Sequence, residues 1–222
     1  MSRVVIDIET LAYPLEHFDE TQQEYLLKFS DTEEKKLETI QKFSLYPTTS
    51  QIITIGMLNP DTGHGKVLFQ SEGKVDEFPG DGAVHLLSGT ECELLSWFWQ
   101  DLVHYEQFIT FNGRGFDCPF LMLRSAMLRV QPTRNLMPYR YDSKIHCDLL
   151  EQLTFYGALR KFNLDFYCKS FGIESPKSHG ITGLDLRQLY AEKRFKEIAE
   201  YNLGDLKATA ELFLRWENYL NV

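Results

Sequence analysis

The run Val4-Val5-Ile6-Asp7-Ile8-Glu9-Thr10 places three β-branched residues directly ahead of two carboxylates two positions apart. It reads as a buried strand over residues 3–8, because β-branched side chains pack well on a pleated surface. Successive side chains of a strand point to opposite faces, so Asp7 and Glu9 share one face at its end. Two carboxylates held together repel unless a cation lies between them, and a divalent ion meets that need. The same spacing recurs at Asp31-x-Glu33, inside a charge run with no strand before it. The apolar run ahead of Asp7 separates the two.

Downstream, residues 51–58 and 66–70 read as strands flanking the turn-rich Asn59-Pro60-Asp61-Thr62-Gly63, an antiparallel hairpin. Thr90-Glu91-Cys92-Glu93 matches a capping box ahead of an apolar stripe of Leu94, Leu95, Phe98 and Leu102, so a helix follows. Capping accounts for Glu93 without a site role. Residues 107–111 form a fourth strand, and Pro119 opens a helix reaching Val130. Residues 163–171 read as a helix stopped by Gly172, with further helices over 184–190 and 195–219. This order predicts an α/β fold in which helices pack on a mixed sheet, in one domain over residues 1–222. Residues 13–50 read as a polar helical insertion after the first strand. Its apolar spots at Tyr25, Leu26, Phe29, Leu37, Ile40 and Phe43 predict that it packs on the body, rather than standing off as a lid.

A second acidic motif appears in Asn112-Gly113-Arg114-Gly115-Phe116-Asp117, directly after a predicted strand and before a helix. Two glycines permit a tight turn that presents Asp117, and the Asn112 amide can orient a neighbour or a substrate. Asp117 as a simple helix cap is the rival reading. A third appears in Tyr201-Asn202-Leu203-Gly204-Asp205. Residues i and i+4 of a helix are neighbours, so the phenol and the carboxylate share a face. Taken alone, this pair also fits a tyrosine capping the core beside a solvated aspartate.

The composition leaves room for these motifs and closes off other chemistry. With 43% hydrophobic and 25% charged residues over 222 positions, the chain can bury a sizeable core. No apolar run approaches the ~18 residues that span a bilayer, and no signal-peptide pattern opens the chain, so a cytoplasmic protein without membrane attachment is expected. Cys92, Cys118, Cys147 and Cys168 form no C-x-x-C pair and the six histidines are scattered, which argues for reduced thiols and against a zinc site. The net charge of −9 opposes bulk affinity for nucleic acid. Residues 112–180, however, hold ten Lys/Arg against six Asp/Glu, a local +4. That segment forms either one attractive surface or scattered solvated charge.

In their order the three motifs resemble the tyrosine subclass of the DEDD exonuclease superfamily, which includes the proofreading domains of family-A and family-B DNA polymerases. D-x-E on a first strand is matched by residues 4–10, N-x-x-x-[FY]-D after a later strand by 111–117, and Y-x-x-x-D on a C-terminal helix by 201–205. The resemblance spans nearly the whole chain apart from residues 13–50. His146-Cys147-Asp148-Leu149-Leu150, Asn163-Leu164-Asp165 and Gly172-Ile173 also look like connecting segments of stand-alone, bacterial-type members related to family-B proofreading domains. A histidine subclass would place His at position 200, which is Glu here.

The resemblance implies a ribonuclease H-like fold and two-metal hydrolysis of the 3′-terminal phosphodiester of single-stranded DNA or RNA, releasing nucleoside 5′-monophosphates. Asp7 would bridge two Mg²⁺ or Mn²⁺ ions, Glu9 and Asp205 would share the ion that activates water, and Asp117 would complete the second. Tyr201 would orient the attacking water. Thr10, Asn112 and Phe116 are expected to contact substrate, although core packing also accounts for Phe116. Asp148 and Asp165 read as helix-end or solvated residues. Lys177 and His179 either contact phosphate or lie in a solvated loop. The partner expected is a nucleic acid with a free 3′ end. The alternatives are a related ribonuclease H-like nuclease that cuts internally and a non-catalytic binding module, against which the presence of all four acids and the tyrosine argues.

Overall fold

The computed structural model describes residues 2–175 and 185–221. Its frame is a seven-stranded mixed sheet flanked by helices, as expected for a ribonuclease H-like fold. The strands are β1 (Arg3–Ala12), β2 (Ser50–Leu58), β3 (Gly65–Phe69), β4 (Asp76–Glu77), β5 (Val84–Ser88), β6 (Gln107–Thr110) and β7 (His146–Asp148), in the order β4-β5-β3-β2-β1-β6-β7. β1 pairs antiparallel with β2 and parallel with β6, which pairs parallel with β7. The expected hairpin is β2–β3. The two-residue β4 and three-residue β7 are too short to show periodicity and were not legible as strands; β5 was also missed.

Alternation along β1 sorts the core into two layers. Val4, Ile6 and Ile8 pack with Phe98, Trp99 and Phe120, while Val5 faces the other way, against Leu206, Phe213 and Trp216. The first layer is covered by α3 (Glu91–Leu102) and α4 (Asp117–Met127), the second by α8 (Phe195–Tyr219). The Thr90/Glu93 capping box starts α3 as expected. Helix α4 begins two residues before Pro119, which therefore sits in the first turn, where its missing N–H costs nothing. Between α4 and α8 lie α5 (Leu149–Leu153), α6 (Leu164–Phe171) and α7 (Leu186–Ala191). Gly172 ends α6 in the left-handed conformation.

The insertion packs on the body as expected at Phe43, but not through its helices. It contains α1 (Glu20–Leu27) and α2 (Glu33–Gln41), and neither helix buries a residue. Tyr25, Phe29 and Leu37 are exposed, whereas Phe18 and Phe43 are buried and meet edge to face. Two rings therefore seat the segment, and the helices stand on local terms: the Asp19/Gln22 capping box, the Thr32 cap, and surface pairs such as Lys35–Asp31 and Lys42–Glu38. Solvent screens pairs of that kind, so each contributes little. No helix among the described residues is long and apolar enough to cross a membrane.

Candidate active site

Asp7 and Glu9 follow Val5 by two and four residues on β1, so they project to the α8 side of the sheet. Helix α8 crosses that face and brings Asp205 to them. One carboxylate oxygen from each of Asp7, Glu9 and Asp205 lies within 4.8 Å of the others. Two unit charges at that separation repel by about 3 kcal/mol even at an effective dielectric of ~20. The strain shows in the proton affinities. Burial, then Asp117, Asp205 and Glu9, hold the Asp7 carboxyl well above the usual range; burial, then Asp205 and Asp117, do the same to Glu9.

Two features let the helix come this close. Gly56 is the cross-strand partner of Asp7, and a Cβ there would stand 2.1 Å from Asn202 Oδ1 and 2.5 Å from Leu206 Cδ1. Into that space goes fully buried Asn202, whose Nδ2 donates to Asp7 Oδ2 at 2.8 Å while its Oδ1 has no partner. Thr54, opposite Glu9, accepts the Glu9 N–H through Oγ1 at 3.1 Å.

Asp117 enters from the other side of β1. Pairing between β1 and β6 stops at Val5; beyond it the two parallel strands part, and the Ile8 N–H donates to Asp117 Oδ1 at 3.0 Å. A crevice at the carboxyl ends of diverging parallel strands is the usual place for a ligand in α/β sheets. Burial pushes the Asp117 carboxyl up to about 7, against the lowering effect of backbone N–H groups. Asp117 thus borders the trio, with one oxygen committed to the backbone.

Tyr201 lies one helical turn before Asp205 and is hydrogen-bonded to it; burial first, then Asp205, Glu9 and Asp7, raise the phenol above its ordinary range. Asn112 takes a left-handed φ of 62°, which its residue type tolerates. The Asn112 and Arg114 N–H groups donate to the two oxygens of Asp148, which also caps α5. The helix-end role read for Asp148 is therefore real, and the same side chain also staples the Asn112 loop to β7. Thr10 donates its hydroxyl to the Ser44 carbonyl at 2.7 Å, and the Phe116 ring packs on Phe120, so both side chains are engaged in packing contacts. Asp165 ion-pairs with Lys169. Lys177 and His179 fall outside the described residues.

Oxygen-only donors without histidine or thiol in the group suit a hard divalent cation such as Mg²⁺ or Mn²⁺. The fit is supported by the crowding itself, since three clustered carboxylates are electrostatically incomplete without a cation. Gly56, Thr54, Asn202 and Asp148 escaped the sequence reading as parts of the site. Asn202 was the most accessible, sitting between Tyr201 and Asp205 in the third motif.

Residues 51–221 match the model of a family described as predicted 3′-5′ exonucleases related to the exonuclease domain of PolB. The match includes Asp117, Tyr201 and Asp205 and begins after β1. Among curated proteins, DNA polymerase 1 of Saccharolobus solfataricus is 27% identical over 177 residues, covering 72% of this chain and 19% of that protein. DNA polymerase 1 of Sulfurisphaera ohwakuensis is 25% identical over 132 residues, 55% of this chain and 15% of that protein. The chain therefore spans less than a fifth of the length of these relatives.

Proposed function

Since this chain belongs to the family of predicted 3′-5′ exonucleases related to the exonuclease domain of PolB, we propose that it hydrolyses the 3′-terminal phosphodiester of a single strand of DNA or RNA, releasing nucleoside 5′-monophosphates. Residues 1–222 would act as one exonuclease domain of the tyrosine subclass, in the manner of stand-alone bacterial-type members. The observation that carries the reading is the meeting of Asp7, Glu9 and Asp205 within 4.8 Å, on a strand and a helix far apart in sequence.

In this reading Asp7, Glu9, Asp205 and Asp117 hold two divalent ions, Mg²⁺ or Mn²⁺. Such ions, when bound, supply the Lewis acidity that activates water and offsets charge developing on the phosphate. Asn202 holds Asp7 in one rotamer, as outer partners of metal ligands do. Tyr201, its proton held tightly, orients the attacking water by hydrogen bonding and leaves general-base work to others. Asn112 contacts the terminal nucleotide, with Thr10 and Phe116 supporting the walls around it.

A 5′-labelled oligonucleotide, single-stranded or annealed, with a free or blocked 3′-OH, tests the reading in Mn²⁺ and in EDTA. A descending ladder from the free single strand that vanishes in EDTA supports it. Cutting of a closed circle, or indifference to the blocked end, overturns it in favour of an endonuclease.

A further inference from the structure

Residues 137–169 carry five Lys/Arg and four Asp/Glu in a chain of net charge −9. Two of those acids, Asp148 and Glu151, are buried, so the charge this segment turns to solvent is cationic. It is also aromatic. Tyr139, Tyr141 and Phe155 are 74%, 56% and 60% exposed. Tyr139 and Tyr141 have ring centroids 5.6 Å apart, and Tyr141 sits 4.7 Å from Tyr156. Half-exposed Arg140 leans on Glu151 at 2.7 Å. Arg160 lays its guanidinium 5.0 Å from the Phe162 centroid, and Lys161 beside it is exposed.

The backbone contributes a second observation. Phe155 and Tyr156 adopt φ of 49° and 56°, followed by Gly157 at 95°. Left-handed conformations are costly for bulky aromatic residues, and such strain persists only where surrounding contacts enforce it. Here the Tyr156 N–H donates to the Glu151 carbonyl at 2.7 Å, and Gln152 Nε2 donates to the Tyr156 hydroxyl at 2.8 Å. The turn ends with the Phe155 ring in water. Stability would be better served there by glycine or asparagine.

This surface reaches the Asn112 loop. A cavity of about 280 Å³ is lined by Asn112, Gly115 and Asp148 together with Arg114, Arg140, Glu151 and Lys161. We propose that the surface is a stacking platform for single-stranded nucleic acid. Bases lie on Tyr139, Tyr141 and Phe155, and backbone phosphates meet Arg140, Arg160 and Lys161. Aromatic faces accept any unstacked base and cations track the backbone, which together bind single strands without sequence preference. A duplex keeps its base faces stacked and offers no such partner. The proposal rests on the exonuclease reading for the course of the strand, with the segment upstream of the terminal nucleotide lying here. The binding itself needs no catalysis.

The test is fluorescence anisotropy of the full chain with a 5′-fluorescein oligothymidylate in EDTA, where nothing is cut. Tyr139→Ala/Tyr141→Ala and Phe155→Gly, the latter relieving the strained φ, are expected to weaken binding by about tenfold each. Phe155→Trp is expected to keep wild-type affinity. Arg160→Gln/Lys161→Gln is expected to flatten the log–log salt slope by about 1.4, roughly 0.7 for each phosphate that is no longer neutralised. Wild-type affinity in both aromatic variants, at an unchanged thermal midpoint, overturns the platform. Digestion of the same oligonucleotide by wild type in Mn²⁺ is read separately. Cutting by wild type with unaltered binding in the variants removes the platform and keeps the exonuclease. Absent cutting with variant-sensitive binding does the reverse.

Discussion

Asn202 donates from Nδ2 to Oδ2 of Asp7 at 2.8 Å, joining the last long helix to the first strand across 195 positions. Of the contacts to Asp7, this one lowers its proton affinity, against burial and three neighbouring carboxylates that raise it. Asn202→Ala should cut kcat on a labelled oligonucleotide by about 10–100-fold, the usual cost of losing an outer partner of a metal ligand. KM should change little. Unaltered kcat would show that Asp7 is held in place without the amide.

Asp7→Asn removes one charge and nearly keeps the shape. Turnover should fall far beyond tenfold if Asp7 contacts both ions. Ligand binding to the folded state also raises stability by mass action, so Mn²⁺ should raise the thermal midpoint of wild type and have little effect on the variant. An equal shift in both proteins would place the bound ion elsewhere.

Gly56→Ala puts a methyl group where Asn202 Oδ1 would be 2.1 Å away and Leu206 Cδ1 2.5 Å away. Overpacking of this kind costs about 1–3 kcal/mol. Because the displaced atom belongs to the partner of Asp7, activity should fall along with stability. A denaturant midpoint and a kcat both unchanged would mean that α8 can shift freely.

Tyr201→Phe deletes the hydroxyl bound to Asp205 and leaves the carboxylates in place. Turnover should drop less than in Asp7→Asn, because an orienting hydrogen bond is removed while the ions remain. With the phenol raised above its ordinary range, no tyrosine ionisation should appear in the pH–rate profile near neutrality. A basic limb present in wild type and missing in Tyr201→Phe would assign the phenol a proton-transfer role.

His146 supplies a pH test of the fold. Burial, then Arg114 and Arg134, push its imidazole down to about 3. Its Nε2 lies 2.8 Å from Thr110 Oγ1, and its Nδ1 has no partner. The unfolded chain binds a proton near pH 6.5 and the folded one does not. The neutral ring's contribution is therefore present above about 6.5 and is lost as pH falls towards 3. Between pH 6.5 and 5, wild type should lose about 1.6 kcal/mol more unfolding free energy than His146→Gln, the slope climbing from half to nearly all of about 1.4 kcal/mol per pH unit. Parallel losses in urea titrations would show that the ring is protonated in the fold.

Much of the frame was legible because its signals are local. The β-branched run before Asp7, the Thr90/Glu93 capping box, the hairpin turn at Asn59–Gly63 and Gly172 at a helix end each act within a few residues. The insertion misled because apolar residues at helical spacing imply a buried face only if a surface exists to receive them. Phe18 and Phe43 found one; Tyr25, Phe29 and Leu37 did not.

The sequence by itself determined that Asp7 and Glu9 lie on one face of a strand and that Tyr201 and Asp205 share one face of a helix, because pleat and helical pitch set side-chain direction locally. Tertiary structure alone decided that these two faces meet. It also placed Asn202 in the space left by Gly56, and turned Asp117 to the Ile8 N–H where β1 and β6 part. Those outcomes depend on strand order and on the path of a helix across the sheet, which are settled by packing between residues far apart in the chain and leave no periodic trace in either partner.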